Sequence, residues 1–230
     1  MTADTSPENE KWRLRGKITI PYDYIVNGEK RGIIIGFAGT NGPAAIPWLN
    51  NEITHIFFDK KFTSQNILST ENTSPSTLDN STFSIEAYAF YGNTHLQYCE
   101  MPVNLGAIGT YAFYSCSNLI FPDFSKCTCV NSLTLGAYCF NQIGTNAYTN
   151  SSSISLKLSY NITTYNRYVF ANAGPSNHYG GSAEISFGTS SDTGKSKDNL
   201  SLTFNPGCFK RRDNVSWTSI IFYGTFSSEQ

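Results

Sequence analysis

The chain has 230 residues, with 16 Lys and Arg against 17 Asp and Glu, a net charge of −1. That balance argues against a nucleic-acid binder, which carries a basic excess, and no apolar run approaches the roughly 18–20 residues that span a bilayer. Charged residues are only 14% and aromatics another 14%; Ser, Thr and Asn make up roughly a third, so the composition points to a β-rich, turn-rich folded chain rather than a disordered one.

Residues 1–10 are polar and have neither a basic n-region nor an apolar h-region, so they read as a tail and not as an export signal. Strands are expected at 17–22 and 32–37, joined through Asn27-Gly28, the strongest short hairpin signal. Residues 63–79 are polar and read as a long loop. Strand-like stretches with period-2 apolar character follow at 53–58, 96–101, 119–124, 154–158, 183–187 and 217–222. They align on Phe58, Met101, Phe124, Leu158, Phe187 and Phe222. Between them lies a second motif, Tyr-x-Phe, at Tyr88/Phe90, Tyr111/Phe113, Tyr138/Phe140 and Tyr168/Phe170. Chance gives about one such pair at this composition. Gly207-Cys208-Phe209 is a fifth copy without the Tyr, and an apolar residue stands five positions before each Phe: Ile85, Ile108, Leu135, Tyr165 and Phe204. Anchor to Phe is 12 residues and Phe to anchor 11 where the copies are shortest, so the unit is 23 residues, lengthened later by insertions at 141–153, 171–182 and 188–199. Such a unit cannot bury its apolar face alone; stacked copies can.

Ile108-Gly109-Thr110-Tyr111-Ala112-Phe113-Tyr114-Ser115-Cys116-Ser117-Asn118-Leu119 resembles the Ile-Gly-x-x-Ala-Phe-x-x-Cys-x-x-Leu core of BspA-like bacterial leucine-rich repeats. The resemblance implies a mainly β solenoid with a parallel sheet on its concave face. Residues 11–52 then serve as an N-terminal β cap, 53–226 as the repeats and 227–230 as a tail. It also implies a non-enzymatic protein-binding module, such as a surface adhesin whose partners are host extracellular-matrix or plasma proteins. The expected place is the cell surface or outside the cell, or alternatively the periplasm. A structural subunit of a homo-oligomeric envelope assembly is the second reading, favoured by the last strand, apolar on both faces.

If the anchors hold, residues one and three before each of them face outward on the sheet. The candidate binding face is therefore His55, Phe57, Tyr98, Glu100, Phe121, Asp123, Ser155, Lys157 and Glu184. Phe57, Tyr98 and Phe121 cluster toward its N-terminal end as an aromatic patch, a residue type that dominates binding hot spots. The cysteines fit no zinc spacing: Cys139 and Cys208 occupy the small position of the Tyr-x-Phe motif, Cys116 the family's Cys position, and Cys99 the inward ladder, while Cys127 and Cys129 have no place in the repeat. No metal and no cofactor is expected. Gly188 to Ser196 has five residues between its glycines where a phosphate loop needs four, and a strand pattern follows where a helix is needed. His55, His95 and His178 lie far apart, and no Gly-x-Ser-x-Gly elbow occurs.

Overall fold

In a computed structural model, the structure describes residues 15–20, 23–26, 29–32, 52–59, 83–102, 105–125, 127, 133–148, 152–175, 181–193, 197, 200–212 and 215–225. Its strands are β1 (Arg15–Ile20), β2 (Asp23–Val26), β3 (Glu29–Gly32), β4 (Glu52–Phe58), β5 (Phe83–Ile85), β6 (Tyr98–Cys99), β7 (Leu105–Ile108), β8 (Thr134–Leu135), β9 (Ile154–Leu158), β10 (Thr164–Tyr165), β11 (Ala183–Phe187), β12 (Thr203–Phe204) and β13 (Ser219–Phe222).

Three parallel ladders run through the molecule. The first joins β1, β4 and β6, then continues to β9, β11 and β13. Residues 120–124 bridge the two halves: Ile120 N donates to Gln97 O at 3.0 Å, Phe124 N to Lys157 O at 2.9 Å, and Asp123 pairs with Lys157. That stretch is a single bridge rather than the expected strand, because Pro122 has no N–H to give a ladder. The observed pairs Ile56↔Cys99, Asp123↔Lys157, Leu158↔Phe187 and Phe187↔Phe222 reproduce the anchor alignment at each step. Inward residues are accordingly buried: Ile56, Phe58, Cys99, Met101, Phe124, Leu156, Leu158, Ile185 and Phe187.

The second ladder is β5, β7, β8, β10 and β12 in chain order. It carries Ile85, Ile108, Leu135 and Tyr165 into the core. The third is made of turns. Each Tyr-x-Phe turn closes with an i→i+3 bond such as Ala112 N to Gly109 O at 3.2 Å, and bonds to the next coil, as Phe113 N does to Cys139 O at 2.7 Å. The third position of the turn has positive φ: 61° at Tyr88, 60° at Tyr111, 59° at Tyr138, 56° at Tyr168 and 70° at Gly207. Glycine is the usual residue there, since a side chain in the left-handed region costs roughly 1–2 kcal/mol. Tyrosine is held there by stacking: Tyr88 on Tyr111 at 5.3 Å, Tyr111 on Tyr138 at 4.9 Å, and Tyr138 against Tyr168 at 5.1 Å. Tyr168 then folds over Gly207, where an added Cβ would meet its ring at 2.4 Å.

One layer inward, Phe90, Phe113, Phe140, Phe170 and Phe209 stack at 5.0–5.8 Å. The motif's glycine sits where successive coils touch; a Cβ on Gly109 would lie 2.2 Å from Ala87 N. Cys116 donates its thiol to Phe90 O at 3.0 Å, and Asn93, at the same place one coil earlier, accepts from His95 N and Leu96 N at 3.1 and 3.2 Å.

At the N-terminal side the hairpin is displaced from expectation. Asn27-Gly28 does join an antiparallel pair, but the pair is β2 and β3, with Val26 opposite Glu29. Residues 17–20 instead form part of β1, which pairs in parallel with β4 and places Ile18 beside Ile56. The expected strand at 33–37 and the loop at 63–79 lie outside the described residues.

Candidate functional site

Alternation along β4, β6, β9 and β11 puts His55, Phe57, Tyr98, Ser155, Lys157 and Glu184 opposite the buried ladder residues, and Glu100, Phe121 and Asp123 hold the corresponding positions just outside those strands. His55, Phe57 and Tyr98 gather there, half-buried: Phe57 lies 5.5 Å from Tyr98, and His55 lies 6.2 Å from Phe57 and 6.1 Å from Tyr98. Glu100 accepts from Phe58 N at 2.9 Å, which fixes its carboxylate beside this cluster. Burial, and then the Glu100 charge, push the Tyr98 phenol up, so it stays a neutral donor. Asp123 and Lys157 are opposed across the ladder and form an exposed ion pair at 3.7 Å. Ser155 is exposed and Glu184 half-buried farther along.

Phe121 is the correction. It has the outward position but is only 7% exposed. Tyr148, from the first insertion, packs on it at 5.5 Å, and its hydroxyl accepts from Phe121 N at 2.8 Å. Trp217 closes from the other side at 5.9 Å. Phe121 is thus a core residue of a small outer cluster, and the exposed aromatic patch is reduced to His55, Phe57 and Tyr98.

A second surface escaped the sequence reading. Tyr88, Tyr111, Tyr138 and Tyr168 form a half-exposed stripe along the turns, flanked by Tyr91 stacked on Tyr114 at 5.1 Å. The Tyr-x-Phe repeat was its signal; the alternating side chains of that motif separate a buried Phe column from an outer Tyr column. A third surface lies at β12 and β13, the last strands of their sheets among the described residues: Phe204 is 47%, Ile220 56% and Phe222 43% exposed.

Cys99, Cys116, Cys139 and Cys208 are buried free thiols, and Cys127 is buried as well. Burial raises the thiol pKa of Cys99, Cys116 and Cys139. Cys127, unplaced by the repeat, turns its Sγ toward Pro102 O at 3.5 Å, while its carbonyl accepts from Ser159 and Asn161. Cys129 lies outside the described residues. Among the described residues no three His, Cys, Asp or Glu side chains gather as a metal site, and no helix is long and apolar enough to cross a membrane. Thr189 and Asp192 cap the short 3₁₀ turn Ser190–Asp192 after Gly188, and Lys197 reaches Asp192 at 3.0 Å. The loop is therefore tied to itself.

The family model of the BspA type leucine rich repeat region matches residues 60–123 and 121–179 in six copies, over the coils just described. The chain belongs to the BspA-type leucine-rich repeat family. No curated protein and no solved structure matches it. In this BspA-type chain Gly109, Phe113 and Cys116 of the repeat core all act between coils.

Proposed function

We propose that this BspA-type chain is a non-enzymatic protein-binding module, working as a surface adhesin toward host extracellular-matrix or plasma proteins. On this reading residues 53–226 are the repeats and 11–52 cap them. The observation that carries it is the half-exposed His55, Phe57 and Tyr98 cluster, held beside Glu100 on one continuous parallel ladder. Rigid aromatics on a regular scaffold give large contact area at low entropic cost. Glu100, Asp123 and Glu184 stand against Lys17 and Lys157 along the same face, an acidic excess of one that favours a partner segment carrying basic side chains. The test is Phe57→Ala with Tyr98→Ala, measured by surface plasmon resonance on immobilised matrix and plasma proteins. Losing a hot spot worth about 2 kcal/mol weakens binding more than tenfold. Unchanged affinity in the folded double variant moves the face elsewhere.

The second reading, a self-associating envelope subunit, draws on the exposed Phe204, Ile220 and Phe222, the last two on β13, the outer strand of its sheet among the described residues. Edge strands with apolar neighbours pair with other chains. Sedimentation at micromolar concentration distinguishes the two; a strict monomer argues against self-association.

A further inference from the structure

Among the described residues, Arg211 is the buried charged side chain that the scaffold leaves without a hydrogen bond. It is 7% exposed, and among the described residues none of Nε, Nη1 and Nη2 has a hydrogen-bond partner. A guanidinium out of water and without an acceptor is costly, and folded proteins pair such groups. Among the described residues no carboxylate lies within ion-pair reach of it, and burial alone lowers its pKa.

Its surroundings are shaped for a flat group. The guanidinium carbon sits 5.0 Å over the Trp217 ring. Trp217 is pinned by its Nε1–H to Phe209 O at 2.9 Å and abuts Phe121, itself backed by Tyr148. Gly174 lies against Nη2, and a side chain there would approach it to 3.1 Å. Lys210 is exposed and Arg212 half-buried, so three consecutive cations share this corner. Trp217 is itself half-buried, which puts Arg211 one side chain below the surface.

We propose that Arg211, with Trp217 as its fixed aromatic wall, is a binding site for a carboxylate presented by a partner protein. A carboxylate matches the guanidinium fork with two parallel N–H···O bonds, and an aromatic wall suits its plane and the apolar stem behind it. The positive field of Lys210 and Arg212 draws the anion in. This site is separate from the His55, Phe57 and Tyr98 cluster and stands whether or not that cluster binds a partner.

The experiment titrates the full chain, labelled with nitrogen-15 arginine, at constant ionic strength balanced with chloride. N-acetylglycinate and sulfate are the two probes. The Arg211 Nε–H resonance, assigned by Arg211→Lys, moves saturably with N-acetylglycinate, and the melting temperature rises with the same concentration dependence. Both responses vanish in Arg211→Met, which keeps the stem that packs on Trp217. A response confined to sulfate overturns the carboxylate assignment. No saturable movement with either anion overturns the site, a result the wild-type chain supplies even if Arg211→Met does not fold.

Discussion

Phe113 is the test of the stacked core. It is fully buried, with Phe90 and Phe140 on its two faces, each 5.0 Å away. A phenylalanine side chain buries on the order of 150–250 Å², which at about 25 cal/mol per Å² is roughly 4–6 kcal/mol. The β-carbon kept in alanine and the compactness of the unfolded chain take back about a third. Two aromatic contacts are lost as well, each about 0.5–1.5 kcal/mol. Phe113→Ala should therefore cost about 4–5 kcal/mol, at the upper part of the range for such truncations. Phe204→Ala, at the open end of the neighbouring column and 47% exposed, should cost roughly 1–2 kcal/mol. Urea titration read by tyrosine fluorescence gives the comparison, with amide exchange around Phe113 as a local check, because coupling in a repeat array acts between neighbours. A loss under about 1 kcal/mol at Phe113, or equal losses at the two positions, would refute the stacked register.

Gly109→Ala should lower stability by about 2–3 kcal/mol, since the new methyl meets backbone of the preceding coil that cannot step aside; a neutral change in thermal melting would contradict the close approach. Asp192 has its pKa lowered first by the Thr189 amide, with Lys197 adding to it. Its folded form thus favours the charged state, so its contribution is present above the ordinary value of about 3.9 and lost as pH falls through the lower folded value. Asp192→Asn should cost about 0.5–2 kcal/mol at neutral pH and nothing near pH 2, and parallel stability curves across that range would disprove the cap. At pH 8 a thiol reagent should leave Cys99, Cys116 and Cys139 unmodified in the native protein and modify them in urea, as buried thiols with raised pKa require. Rapid native labelling of Cys116 would show that its coil is open.

The strand anchors were legible because period-2 alternation survives in segments of five to seven residues, as in β4, β9 and β11. The two-residue strands β8, β10 and β12 carry no period, so Leu135, Tyr165 and Phe204 could be read as apolar positions but not as a sheet. Position in the repeat told which way Phe121 points. It could not tell that Tyr148 and Trp217, 27 and 96 residues further along, fold over it. The early hairpin was misplaced for a related reason. The turn at Asn27-Gly28 is local chemistry and readable, whereas Ile18 and Ile20 are claimed by β4, a partner more than thirty residues away. Arg211 sits in a basic triplet that reads as solvated, and only packing against Trp217 reveals a buried charge.

Among the described residues, the backbone hydrogen bonds between coils run from each coil to the coils on either side, so they lie along the axis of the stack. Tension applied through the two ends loads those bonds one rung at a time, as a zipper is loaded, instead of shearing a whole sheet at once. Under such a load the stack would extend in steps. A 23-residue coil that peels away supplies roughly 76–83 Å of slack in place of the ~4.8 Å it spanned in the ladder. The 39 residues between Phe170 and Phe209 would release a longer step than the 23 between Phe90 and Phe113, so the insertions also set the sequence of extensions under load.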